Sequence, residues 1–331
     1  MARQLNIYAI ILFLLCSTFS VKAQLTIGTQ VRPRAEFRNG FKTLNSDDRS
    51  PAFFIEQRAR LFADYNEEKF RVRINFQDVR IWGSTSQIYK SDPNALTNVY
   101  EAWGLYRFTD AWSVKVGRMA WDYDNARFLG DLRWAAQARS HDGLVISHNN
   151  TETKLRVDIG AAFNQVGFEP TMLAETFYSG VNNYKTNQFL YLHKGLSKTK
   201  FSVLIHNDGR QVPADSSLAM RQTYGLIGSG SIGSLDVGGE FYYQGGKNAS
   251  DVEVDAFLIN AFVKLKTALT PITIGFDYLS GTSVTDTQDK SFNPLYGTNH
   301  KFYGYMDYFY VGNAHGQAGN TAGLFDVHLK T

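Results

Sequence analysis

The sequence predicts an all-β fold, a transmembrane antiparallel β-barrel of about 14 strands. Three observations predict it. Apolar and polar residues alternate with period two along almost the whole chain, as in strands with one face against an apolar medium. The connections between these segments are short and long in strict turn, as in a barrel with tight periplasmic turns and long extracellular loops. A leader of the secretory type opens the chain, and no run of 18 apolar residues follows it, so no helical span is expected.

The leader comes first. Arg3 supplies a positive start, IYAIILFLLC (7–16) an apolar stretch, and Val21-Lys22-Ala23 a small-residue cleavage site. The expected division is a signal peptide at 1–23 and a barrel at 24–331. A lipoprotein signal acylating Cys16 is the rival, but Leu15 stands where that processing needs a small residue. Cleavage removes the single cysteine, and with it any disulfide or thiolate metal site. It also lowers the net charge from +3 to about +1, since Arg3 and Lys22 leave.

The alternating segments fall at about 25–38, 52–65, 69–82, 97–108, 112–120, 141–149, 153–164, 186–194, 199–206, 220–230, 234–245, 252–267, 271–280 and 322–331. In LRVDIGAAFN, Leu155, Val157, Ile159, Ala161 and Phe163 oppose Arg156, Asp158, Gly160, Ala162 and Asn164. In ITIGFDY, Ile272, Ile274, Phe276 and Tyr278 oppose Thr273, Gly275 and Asp277. Short connections occur at NEE (66–68), TDA (109–111), NTE (150–152), LSK (196–198), SIGS (231–234) and around Thr270-Pro271. Long ones lie at 39–51, 83–96, 121–140, 165–185, 207–219, 246–251 and 281–321. Lipid cannot satisfy backbone N–H and C=O groups, so a β-protein in a bilayer closes on itself, apolar faces out. Aromatics near strand ends, Tyr65, Tyr106, Trp112, Trp121, Tyr243 and Tyr278, are expected to form the interfacial girdles. The chain ends FDVHLKT rather than on an aromatic residue, which suggests a fragment with further strands missing.

Charge is unevenly placed. Of 17 arginines after the leader, 14 lie between Arg32 and Arg139, whereas 11 of 15 lysines follow residue 140. In QRARLFADYNEEKFRVRINF (57–76), Ala59, Leu61, Val72 and Ile74 take the lipid side. Arg58, Arg60, Arg71 and Arg73 then face the interior. Arginine keeps its charge and binds carboxylate or phosphate through a planar fork, so repeated arginines on a pore wall suit an anionic solute. The plainer alternative is pairing with Glu56, Asp64, Asp78 and Glu101 along a merely polar wall. The densest stretch, 117–146, interleaves Arg118, Arg127, Arg133 and Arg139 with Asp122, Asp124, Asp131 and Asp142. A loop of this length either folds inside and sets a constriction or covers the surface. Both readings stay open at this point.

Several stretches then resemble the alginate-export porin family of outer-membrane barrels. They are RARLFADY (58–65), RINFQDVRIWG (73–83), YEAWGLY (100–106), VGRMAWDYDNARFLGDLRW (116–134), ARSHDGLVI (138–146) and FNPLYGTNHKFYGYMD (292–307), the last as in bacteroidete members. The resemblance implies an 18-stranded barrel whose electropositive lumen passes a polyuronate chain. By position it assigns that lining to Arg58, Arg60, Arg73, Arg80, Arg118, Arg127, Arg133 and Arg139. Two departures stand out: Met119 replaces a Gln common after the Gly-Arg pair, and the chain is about four strands short.

The function expected is an outer-membrane channel for an anionic solute, foremost a uronate-type polysaccharide or oligosaccharide. The alternative is a glycan-binding receptor or adhesion barrel, with Asn293, His300, Tyr303, Tyr305 and Tyr308 as a surface platform or a lid. Expected partners are outer-membrane lipid, the polysaccharide or small anions, and periplasmic export proteins. Enzymatic activity is not expected: the seven histidines show no metal-ligand spacing, and only Ser147-His148 and Ser202 with His206 approach a nucleophile–base arrangement. No cofactor and no nucleic acid is expected, since GLIGSGSIG (225–233) spans a turn between strands and not the start of a helix.

Overall fold

In the computed structural model, fourteen strands among the described residues form one sheet in which each pairs antiparallel with its neighbour in sequence. The structure describes residues 24–88, 97–165, 178, 184–309 and 321–331, so the expected leader lies outside the described residues. The first seven strands are β1 Leu25–Arg38, β2 Ala52–Asn66, β3 Phe70–Ile81, β4 Thr97–Arg107, β5 Trp112–Met119, β6 His141–Asn150 and β7 Leu155–Phe163. The others are β8 Thr186–Gly195, β9 Thr199–Gln211, β10 Leu218–Ile232, β11 Leu235–Lys247, β12 Glu253–Leu265, β13 Ile272–Leu279 and β14 Leu324–Lys330. Each matches an expected segment with ends shifted by two residues or fewer, except β9, which runs five residues past its expected end at 206. There Asn207 and Asp208 still pair with Gln222 and Arg221 of β10. The alternation stops where the apolar medium stops, but the hydrogen-bonded ladder continues above it.

Alternation sorts the two faces as expected. Ile27, Val31, Leu61, Val72, Ile74, Ile159, Phe163, Leu226 and Val263 stand exposed on the outer face. A band this extensive fits hydrocarbon as its solvent and would be an aggregation hazard in water. Tyr65, Trp112, Tyr243 and Tyr278 are exposed on that face too, as girdle residues would be, and Tyr106 packs between Phe70 and Phe108. Trp121 does not join them. It is 2 % exposed, stacks on His141 at 4.2 Å and lies in the interior.

The interior is an apolar cluster rather than a uniformly polar lumen. Trp121, Tyr123, Phe128 and Leu129 come from the β5–β6 connection, and Phe292 and Tyr296 from the β13–β14 connection. Phe189, Tyr191 and Tyr242 meet them from the wall. The β5–β6 connection, 120–140, bonds at once to β1, β2, β3, β7, β8, β9, β11 and β13. A single 21-residue segment can touch both β1 and β13 only if the sheet curls around it. Within the described residues β1 pairs only with β2 and β14 only with β13.

Candidate functional site

The site is the inner wall of β1–β4 and the two connections packed against it. Register sets the wall. Arg32 of β1 lies opposite Arg58 of β2, Arg34 opposite Glu56, and Gln30 opposite Arg60. Across the next pair, Arg60 faces Gln77 and Asp64 faces Arg73. All these positions share the parity that points away from the apolar outer face.

The inward arginines fall into two groups. Those in the first group are neutralised by carboxylates. Arg73 reaches Asp64 at 2.7 Å and Glu101 at 2.9 Å, and Arg71 reaches Asp64 at 3.3 Å. Arg34 bridges Glu36 at 2.6 Å and Glu56 at 2.8 Å. The second group, Arg32, Arg58 and Arg60, makes no ion pair among the described residues. Arg32 donates to the carbonyls of Arg133 (2.9 Å) and Trp134 (3.0 Å). Arg58 is 3 % exposed and donates to the carbonyls of Arg133 (3.2 Å) and Ala135 (3.1 Å) and to Gln30 (2.9 Å). Arg60 donates to Gln77 at 2.9 Å and lies 3.8 Å over the Tyr100 ring. Neutral dipoles therefore solvate these three charges without cancelling them, which in a low-dielectric surrounding leaves their field intact.

Arg127, from the 120–140 connection, crosses to the far wall. Its guanidinium meets Asp277 of β13 at 2.6 Å and Glu240 of β11 at 3.6 Å, and donates to the Tyr303 hydroxyl at 2.7 Å. It also stacks 3.7 Å over the Phe302 ring. Burial pushes the Tyr303 hydroxyl well above its ordinary range, so it stays protonated and neutral beside this cation. Arg139 donates to the carbonyls of Gly130 and Gly297 at 3.1 Å each, tying the two infolded connections together. Leu129 and Tyr296 form a strand-like bridge at the same contact, with Gly130 N–H donating to the Tyr296 carbonyl at 2.8 Å. Gly130 and Gly297 allow this approach: a Cβ on Gly130 would strike Thr298, and one on Gly297 the Arg127 carbonyl.

Of the residues the sequence singled out, Arg58, Arg60, Arg71 and Arg73 lie on the inner wall, and Arg127, Arg133 and Arg139 lie in the infolded connection. Within that connection Arg133 is the open one, its side chain 69 % exposed beside Asp131. Arg80 and Arg118 are corrections. Arg80 has the parity of Ile74 and Phe76 on the outer face, where it pairs with Asp78. Asp78 is thereby withdrawn as an interior partner. Arg118 has the parity of Val116 and pairs across the β5–β6 ladder with Asp142 at 2.6 Å. In both cases the two-residue period of the strand argues against the interior. Arg32 and Arg34 were missed although RPRAEFR carries the same i, i+2 signal as QRAR. Glu240 and Asp277 could not be linked to Arg127 from sequence, because more than 100 residues separate them from it.

The sugar-platform reading finds little support in the β13–β14 connection. Tyr303 is engaged by Arg127, the Asn293 N–H donates to Gln244 at 2.8 Å, and His300 stacks on Trp134 at 3.8 Å. Tyr305 stays 76 % exposed, and Tyr308 packs against Phe309. Ser147 and His148 are consecutive on β6 and so point to opposite faces. Ser202 is bonded to Tyr191, Asp124 and His193, while His206 meets Asn187 at 3.0 Å.

Comparison with known proteins adds to this geometry. The sequence profile of a family described as alginate export matches residues 23–317. No curated protein matches the chain. Solved structures of similar fold include OccD3 (OpdP) of Pseudomonas aeruginosa, with TM-score 0.55 and 12 % identity over 83 % of this chain and 62 % of that one. OpdK of the same organism, solved with vanillate, gives TM-score 0.53 and 12 % identity over 78 % and 67 %. OccK2 (OpdF), solved in complex with glucuronate, gives 0.50 and 14 % over 78 % and 64 %. This chain thus spans about three fifths to two thirds of the length of these neighbours, and at such identities the likeness shows the fold.

Proposed function

The chain belongs to the alginate export family of outer-membrane β-barrels, and on that premise we propose that it is a channel passing an anionic solute, foremost a uronate-type polysaccharide or oligosaccharide. In the same reading residues 1–23 are the export signal, 24–331 belong to the barrel, and periplasmic export proteins deliver the solute. One observation carries the choice of an anion: Arg32, Arg58 and Arg60 point inward with carbonyl and amide acceptors in place of carboxylates. Arg133, whose carbonyl Arg32 and Arg58 hold, is itself exposed and paired with Asp131. A wall of this kind lowers the energy of a carboxylate in the constriction and raises that of a cation. Glucuronate, held by the neighbour OccK2, is of the same chemical class.

Single-channel recording in planar bilayers tests this. Anion preference and block by oligouronates, weaker at higher salt, are expected. Arg71→Ala with Arg133→Ala should lower the anion preference, since both side chains reach solvent. A cation-selective pore indifferent to that double substitution would overturn the reading. Glycan binding with no conductance would favour the receptor instead.

A further inference from the structure

The arginine wall is not the only basic surface. Across the barrel from it, at the end of the short turns, β6–β12 surround a cavity of about 1040 Å³. Its cations are Lys154, Arg156, Lys198, Lys200, Lys264 and Lys266, and Asp236 is its one carboxylate. The register makes these residues one arc of wall. Arg156 lies opposite His193 on β8, His193 opposite Ser202 on β9, Lys200 opposite Ser229 on β10, and Asp236 opposite Lys264 on β12.

Two of these cations are matched: Arg156 by Asp158 at 2.5 Å and Lys266 by Asp236 at 2.5 Å. Lys154, Lys198, Lys200 and Lys264 make no ion pair among the described residues. This half of the chain is acidic in sum, with 14 basic and 17 acidic residues after 139. Of its acids, Asp208, Asp255 and Asp289 lie towards the long-loop ends and Asp277 deep in the wall, while Glu152 shares its short turn with Lys154 outside the cavity lining.

We propose that this vestibule is a capture site for the leading end of a chain carrying repeated carboxylates, where the solute enters before it meets the arginine wall. The inference rests on the channel reading above and deepens it. Short turns mark the periplasmic side of such barrels, so the vestibule faces the compartment from which an exported chain arrives. Lysine suits capture followed by release. Its ammonium is a mobile, strongly hydrated point charge, whereas the arginine fork holds a carboxylate by two parallel bonds. Four unmatched cations around one cavity favour a multivalent chain over a single small anion, because each further contact is made at high effective concentration.

The test uses the full chain in planar bilayers, with an oligouronate hexamer added to each side in turn. The wild type should be blocked at lower concentration from one side, and glucuronate monomer at equal carboxylate concentration should block weakly. The variant Lys154→Gln/Lys198→Gln/Lys200→Gln/Lys264→Gln should lose that asymmetry, its sensitive-side block weakening about tenfold, as expected for four exposed charge contacts. Anion preference set by the arginine wall should persist, and the four Lys→Arg substitutions should restore the asymmetry. Since all four positions line an open cavity, folded migration before heating is expected of both variants. Unchanged block in the glutamine variant would overturn the vestibule alone, and would point to another occupant such as an acidic periplasmic protein. A wild type blocked from neither side would overturn both this proposal and the channel reading.

Discussion

Arg58 and Arg127 show how one residue type serves different ends in one lumen. Arg58 is buried against the carbonyls of 133–136 and pins the β5–β6 connection to the wall. Arg127 pins it to the opposite side through Glu240 and Asp277, both themselves buried. Removing one partner of a buried ion pair strands the other's charge, at a cost of about 3–5 kcal/mol. Arg127→Met should therefore loosen the connection by about 3 kcal/mol while the barrel stays folded. Protease cleavage near Asn125 in the folded variant, absent in wild type, is the expected readout. Adding Asp277→Asn should recover part of the loss by removing one stranded charge. The inward placement of Arg58 was legible from period two alone. That Arg58 holds a carbonyl cluster 75 residues away was not, since nothing local encodes it.

The described parts of the β5–β6 and β13–β14 connections pack together inside the sheet. Their lengths and charges were visible in the sequence, but a surface loop with paired Arg and Asp reads the same way. Aromatic content held the clue: Trp121, Tyr123 and Phe128 would be poorly placed on a wet surface. Inside they pack with Phe189, Tyr191, Tyr242 and Tyr296. Replacing residues 122–137 with a short Gly-Ser linker should leave the strands intact and raise single-channel conductance several-fold. Unchanged conductance would mean that this connection does not constrict the path. At the strand scale, β9 shows why alternation underestimates length: beyond the apolar zone the outer face has no need of apolar residues, and ladder bonding goes on without them.

The whole molecule differs from a water-soluble protein in its outer face, which carries an apolar band in addition to the apolar cluster inside. Ile159, near the middle of β7, is 53 % exposed on that band. Ile159→Arg should destabilise the bilayer-inserted barrel by about 2–4 kcal/mol. Ser229→Lys on the inner face of β10 should cost far less, since its side faces water. Urea unfolding in lipid vesicles measures both, and equal costs would contradict the assignment of faces.

By itself the sequence determined the all-β class, the fourteen strands and the face each residue takes, because these follow from a two-residue period and from turns a few residues long. The short period also placed Arg58, Arg60, Arg71 and Arg73 inside, and it opposed an interior place for Arg80 and Arg118. Tertiary structure alone decided which arginines are neutralised, that the two long connections meet inside, and that scattered lysines gather at the short-turn mouth. Those outcomes depend on contacts between residues far apart in the chain and on the height at which each side chain enters the barrel, and a local pattern carries neither.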